Sequence, residues 1–109
     1  MSKFEAVVLF NPDLSNQVLQ TEDGNFISMI EKLGGTIFSY EEWGLRSLSY
    51  NIEKYKKAFY KYYQIELDGK NITSIKKNLT QNEKILRHLF VKVENHQQLP
   101  TKMVNNEEK

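Results

Sequence analysis

Residues 36–67 read TIFSYEEWGLRSLSYNI (36–52), EKYKK (53–57) and AFYKYYQIEL (58–67), and this stretch decides the fold. Both outer runs are rich in aromatic and β-branched side chains, which suit the pleated, half-buried surface of a strand. The polar segment between them is short, so the two runs are expected to pair as an antiparallel hairpin. Trp43-Gly44 disturbs the first run. A glycine inside a strand marks a bulge or a close backbone approach, because it brings no side chain to pack.

On the N-terminal side of the hairpin, residues 3–10 read as a strand. Phe4, Ala6, Val8 and Phe10 share one face, and Lys3, Glu5, Val7 and Leu9 the other. The face that starts at Phe4 is the more apolar and is expected to lie against helices. Asn11-Pro12-Asp13 breaks the strand. Residues 14–33 read as a helix in which Phe26, Met29, Ile30 and Leu33 follow i, i+3, i+4, i+7 spacing. Asp23-Gly24-Asn25 interrupts that pattern, and Gly34-Gly35 ends it, because glycine accepts a left-handed cap. On the C-terminal side, Asp68-Gly69-Lys70-Asn71 carries turn and capping chemistry. Ile72, Ile75 and Leu79 give a second, shorter helix closed by Gln81-Asn82, and residues 85–93 give the last strand. The order is βαββαβ. Right-handed crossovers then place two helices on one face of a four-stranded antiparallel sheet, the ferredoxin-like α+β arrangement. Residues 1–94 form one expected domain. Residues 95–109 form a polar tail expected to be disordered when free.

Composition narrows the function. The 109 residues are 39% hydrophobic and 27% charged, which describes one globular domain. A chain this short buries only roughly 60–70% of its unfolded surface. The longest apolar run, residues 6–10, is far short of the ~20 residues that span a bilayer. The N-terminus lacks the length and cleavage site of a signal peptide, so a mature cytosolic N-terminus is expected. There is no cysteine, which excludes disulfides, zinc knuckles and thiol catalysis. The net charge is +1, so binding to nucleic acid has to rest on where the charges sit.

They gather in the hairpin. Tyr40, Tyr50, Tyr55, Tyr60, Tyr62 and Tyr63 all lie in it or at its margins, and Lys54, Lys56, Lys57 and Lys61 sit among the last four. No acidic residue falls between Glu53 and Glu66. Such a segment suits RNA, with lysines on phosphates and rings on sugars or exposed bases. It also suits an ordinary strand with a solvated lysine edge, which is what charge clusters usually are. Arg46 and Arg87 are the only arginines. Each offers a fork for phosphate or an ion pair with a carboxylate such as Glu41 or Glu42. His88 and His96 are isolated, with no partner at metal-ligand spacing. Glu41, Glu42 and Glu53 are paired with no nucleophile. Gly34-Gly35 follows a helix instead of opening one, the wrong side for phosphate capture. Lys57-Ala58-Phe59-Tyr60 lacks the glycines of the RNA-recognition-motif signature, which disfavours a sequence-reading binder of single strands.

Several segments together resemble a known family. They are Phe4-Glu5, Phe10-Asn11-Pro12, Gly34-Gly35-Thr36, the run from Glu42 to Tyr50, then Ile52, Lys54, Lys57, Ala58 and Tyr60, then Asn82-Glu83-Lys84-Ile85-Leu86-Arg87 and Val91-Lys92-Val93. In this order they are similar to the bacterial small-subunit ribosomal protein S-six family over about residues 3–93. The resemblance implies a ferredoxin-like fold and a structural, non-enzymatic, cytoplasmic role in the small ribosomal subunit. It implies binding to the central domain of 16S ribosomal RNA together with ribosomal protein S-eighteen. By position it implies roles for Arg46, Lys54 and Arg87. This chain has Asn51 where many members have proline, Ala58 where many have glycine, and Ser2 where several have a basic residue. Its C-terminal Glu107-Glu108-Lys109 does not carry over the tail modification of some relatives.

The expected RNA contacts are thus Lys3, Arg46, Lys54, Lys56, Lys57, Lys61 and Arg87. The expected protein contacts are Trp43, Tyr50, Tyr60 and Tyr62. No cofactor, metal, membrane or small-molecule substrate is expected, and the free chain is expected to be a monomer. The alternative is a non-ribosomal protein-interaction or ligand-binding module on the same fold. An enzymatic version would need an arginine and a carboxylate or amide converging on one pocket.

Overall fold

A computed structural model describes residues 2–96. The hairpin is built from strand β2 (Thr36–Ile52) and strand β3 (Tyr55–Leu67). It is longer than the sequence suggests. Ile52 pairs directly with Tyr55, so only Glu53 and Lys54 turn the chain, and Tyr55, Lys56 and Lys57 belong to the strand. Their polarity reflects a ribbon end that is wet on both sides. Glu53 takes φ 54°, the sign that two-residue hairpin turns require.

Strand β1 (Ser2–Phe10) pairs antiparallel with β3, and strand β4 (Ile85–Val93) pairs antiparallel with β1. The sheet order is β2-β3-β1-β4. Helices α1 (Asn16–Lys32) and α2 (Ile72–Gln81) complete the expected ferredoxin-like α+β fold. A short 3-10 turn, Gly69–Asn71, leads into α2, and the Asp68 carboxylate accepts from the Lys70 N–H at 3.2 Å.

The alternation of β1 decides which face the helices cover. Phe4, Ala6, Val8 and Phe10 are buried, and opposite them on β3 stand Ile65, Tyr63, Lys61 and Phe59. Leu19, Phe26 and Ile30 of α1 and Ile72, Ile75 and Leu79 of α2 close this core. Each large side chain so buried contributes about 1.5–3 kcal/mol. The other face has no helix over it. Val7 and Leu9 lie there, beside Leu89 and Val91 of β4, which are 59% and 46% exposed.

Helix α1 starts with Ser15, whose Oγ accepts from the Val18 N–H at 3.3 Å. Asp23-Gly24-Asn25 does not interrupt it. The helix runs through because Asp23 is anchored to the sheet, as described below. At its far end Gly34 takes φ 83°. Its N–H donates to the Glu31 carbonyl and the Gly35 N–H to the Ile30 carbonyl, both at 3.0 Å, a Schellman cap. Gly35 is needed for space. A Cβ there would lie 2.6 Å from Leu67 Cδ1 and 2.9 Å from Ile30 Cγ2. Gly44 is needed for its φ of 78°, and the register of β2 against β3 shifts between Glu42 and Gly44. The irregularity expected at Trp43-Gly44 is therefore a β-bulge.

Gly35→Ala should destabilise the protein by about 2 kcal/mol through overpacking. Gly44→Ala meets open space and should cost about 1 kcal/mol through backbone conformation alone. Urea unfolding of both variants checks the two values and their order.

Candidate nucleic-acid interface

Strand β1 stops at Phe10, opposite Phe59, whereas the β2–β3 ribbon runs on to its turn at Glu53-Lys54. The distal half of the hairpin therefore projects as two strands. Lys54, Lys56 and Lys57 are exposed on this projection. Alternation puts Lys56 and Lys57 on opposite faces of the ribbon. The Lys54 Nζ lies 5.7 Å from the centre of the Tyr55 ring, a cation–π contact.

Lys61 does not join them. It stands opposite Val8 on the helix-covered face and is 4% exposed. Its Nζ is 2.8 Å from Glu42 Oε1 and 3.8 Å from Asp23 Oδ1. The Tyr63 hydroxyl donates to the same Asp23 oxygen. Burial, and then the bond to Asp23, push the Tyr63 phenol far above its usual range, so it remains a donor. Lys61 is a cation locked between core and helix. Its expected role as a phosphate contact is corrected by its parity along β3.

Tyr62 is corrected for a related reason. It is 2% exposed on the open face, stacked against Trp43 at 5.1 Å and 11°. Trp43 Nε1 donates to Glu41 Oε1 at 2.9 Å, and Gln64 Nε2 donates to the Tyr62 hydroxyl at 3.1 Å. Trp43 and Tyr60 are half-buried, and Tyr50 is 86% exposed. Of the four expected protein contacts, Tyr62 is covered and Tyr50 is the most available.

The two arginines share the open face. Arg87 stands opposite Leu9, which pairs with Tyr60, so Arg87 and Tyr60 lie in one row across the sheet. Arg46, opposite Ala58, comes one row nearer the hairpin turn. Arg46 Nε donates to the Trp43 carbonyl at 2.9 Å, which fixes its stem against the bulge. Glu42, one expected carboxylate partner, is engaged by Lys61 instead. Lys3 lies at the opposite end of β1, roughly 23 Å along the strand from Phe10. The structure does not bring it to the hairpin lysines.

Two residues not singled out by type or spacing stand at the root of the hairpin. The Asn11 Nδ2 donates to the Tyr55 hydroxyl at 3.0 Å, and the Asn11 N–H donates to the Lys84 carbonyl at 2.9 Å. Lys84 is exposed there. No local pattern signals this, because the α2–β4 connection meets the hairpin only in three dimensions.

His88 faces the helices, with Nε2 3.3 Å from Thr80 Oγ1 and Nδ1 buried without a hydrogen-bond partner. Burial, and then the nearby Lys76 charge, lower its pKa below the ordinary 6.5. His96 packs against the Phe38 ring at 5.3 Å and lies 3.9 Å from Glu5 Oε2 on the open face. The expected tail beyond it, residues 97–109, lies outside the described residues. No helix among the described residues is long and apolar enough to cross a membrane, and no cluster of three or more candidate metal ligands occurs among them. A groove between α1 and α2 is floored by Phe26, Met29, Leu33 and Leu79. Neither arginine lines it, so it lacks the convergence that phosphoryl chemistry would need.

A family model described as Ribosomal protein S6 matches residues 3–92. The small ribosomal subunit protein bS6 of Beijerinckia indica is 33% identical over 95% of this chain and 69% of its own length. The protein of the same name from Brucella canis is 34% identical over 90% of this chain and 66% of its own. The crystal structure of 30S ribosomal protein S6 from Thermotoga maritima superposes with a TM-score of 0.80 at 19% identity. That likeness covers 84% of this chain and 87% of the other, and it establishes the common fold.

Asp23→Ala strips partners from a buried phenol and a buried ammonium, and should cost about 2–3 kcal/mol in urea unfolding. Lys61→Met leaves the Asp23 carboxylate with the Tyr63 hydroxyl but no cation, and should also destabilise, by about 1–3 kcal/mol. Because the folded state disfavours charged His88, the unfolded chain takes up that proton first. This contribution is whole above pH 6.5 and declines as pH falls through and below it. Stability measured from pH 8 to pH 5 should fall at the acid end, less so in His88→Gln.

Proposed function

The chain belongs to the ribosomal protein S6 family, and from that premise we propose that it binds the central domain of 16S ribosomal RNA jointly with ribosomal protein S-eighteen. Membership makes it a structural, non-enzymatic, cytoplasmic protein of the small ribosomal subunit, with ribosomal RNA and ribosomal proteins as its partners. The finer assignment rests on one observation. Lys54, Lys56 and Lys57 stand exposed on a ribbon that projects past the sheet, and Arg46 and Arg87 occupy the adjoining open face.

A projecting ribbon with cations on both faces suits a folded RNA junction, where phosphates surround it. It binds by charge and shape, and no base code is required. The Arg87 fork, in one row with Tyr60, adds a directed contact. The apolar strip of Leu89 and Val91 with Val7 and Leu9 suits a protein neighbour, and Tyr50, exposed on the hairpin, offers a second point of protein contact. Two shared surfaces explain how a chain of net charge +1 holds RNA. Lys3, at the far end of the sheet, serves as a separate point of contact. The free chain is a monomer whose apolar strip is filled on assembly.

Tagged protein should co-migrate with small subunits through a sucrose gradient. With a transcribed central-domain fragment and S-eighteen present, affinity should fall steeply with salt. Replacing Lys54, Lys56 and Lys57 with glutamine should lower the log–log salt slope by roughly 3, about 1 per phosphate contact. Lys61→Met should leave the slope unchanged. Affinity that ignores salt, or a slope indifferent to the three lysines, would contradict the assignment.

A further inference from the structure

Asn11 uses all of its polar groups at the point where the hairpin loses its third strand. Its N–H donates to the Lys84 carbonyl at 2.9 Å, and its carbonyl accepts from the Leu14 N–H at 3.3 Å. Its Oδ1 accepts from the Asp13 N–H at 2.8 Å, and its Nδ2 donates to the Tyr55 hydroxyl at 3.0 Å. One residue thus joins the β1–α1 connection, the α2–β4 connection and the projecting ribbon. Tyr55 adjoins the turn, and the Lys54 ammonium sits over its ring. A continuous path runs from the Lys84 backbone carbonyl through Asn11 and Tyr55 to the Lys54 ammonium.

The ribbon needs such a tie. Two-stranded ribbons twist strongly and are marginal by themselves. This one is further weakened by a register break between Ser47 and Ile52, where four residues of β2 face one of β3. Without a fixed pitch its lysines would have to be ordered at the moment of binding, which lowers affinity.

We propose that the Asn11–Tyr55 hydrogen bond is a latch that sets the pitch of the hairpin, so that Lys84 and Lys54 engage one phosphate backbone together. Asn11 and Tyr55 are positioning residues, and Lys84 is an additional RNA contact. This rests on the RNA reading above and adds to it a residue outside the hairpin and the geometry that aligns it.

Tyr55→Phe keeps the ring and removes only the hydroxyl. Amide exchange over residues 48–57 should accelerate while core amides in β1 keep their protection. Affinity for the transcribed central-domain fragment, with S-eighteen present, should drop about threefold to tenfold. The salt slope should stay constant, because no charge is removed. Lys84→Gln should leave exchange unchanged and reduce the slope by about 1. Unaltered hairpin exchange in Tyr55→Phe would overturn the latch whatever the RNA result. An unaltered slope in Lys84→Gln would overturn the added contact. Wild-type protein that fails to bind the fragment would instead remove the RNA reading and the added contact with it, leaving exchange to decide the latch.

Discussion

The pairing of β3 with β1, from Ser2↔Leu67 to Phe10↔Phe59, fixes which side of every strand meets the helices. Strands β2 and β4 take their faces from these two. A slip of β1 by one residue against β3 would turn Phe4, Ala6 and Val8 out to water and bring Glu5 and Val7 under the helices. The apolar set on the Phe4 face makes that slip costly. The faces of Lys61 and Arg87 follow from this ladder, and that of Arg46 from the pairing of β2 with β3.

The same ladder explains a charged group in the core. Lys61 shares parity with Tyr63 and Ile65, so it enters the helix-covered face. It is tolerated because Glu42 and Asp23 meet its ammonium while Tyr63 donates to Asp23. A buried ammonium without such partners would be expensive. The cluster connects α1 to both hairpin strands, and it lets the helix continue through Gly24.

Function separates along the length of the hairpin. Where β3 lies between β1 and β2, its side chains are spent on packing: Tyr62 under Trp43, Tyr63 against Phe26, Lys61 between carboxylates. Where β1 ends, the ribbon has no neighbour to satisfy, and its lysines face outward. Exposed charge at the tip and exposed apolar surface on the open face give the protein two kinds of neighbour.

Much of this was legible in the residues. Alternation in β1, the stripe through Phe26, Met29, Ile30 and Leu33, and the glycines at 34 and 35 dictate their elements through local geometry. The bulge at Gly44 and the cations at Lys54, Lys56 and Lys57 follow in the same way. What the sequence could not determine was the side on which each hairpin residue falls, because interleaved lysine and tyrosine look alike in both registers. Burial of Lys61 and Tyr62, the isolation of Lys3, and the meeting of Asn11, Tyr55 and Lys84 were decided only by tertiary structure. Each depends on pairings between strands and connections far apart in the chain, and such pairings are set by the joint burial of the Phe4 face, not by any local run of residues.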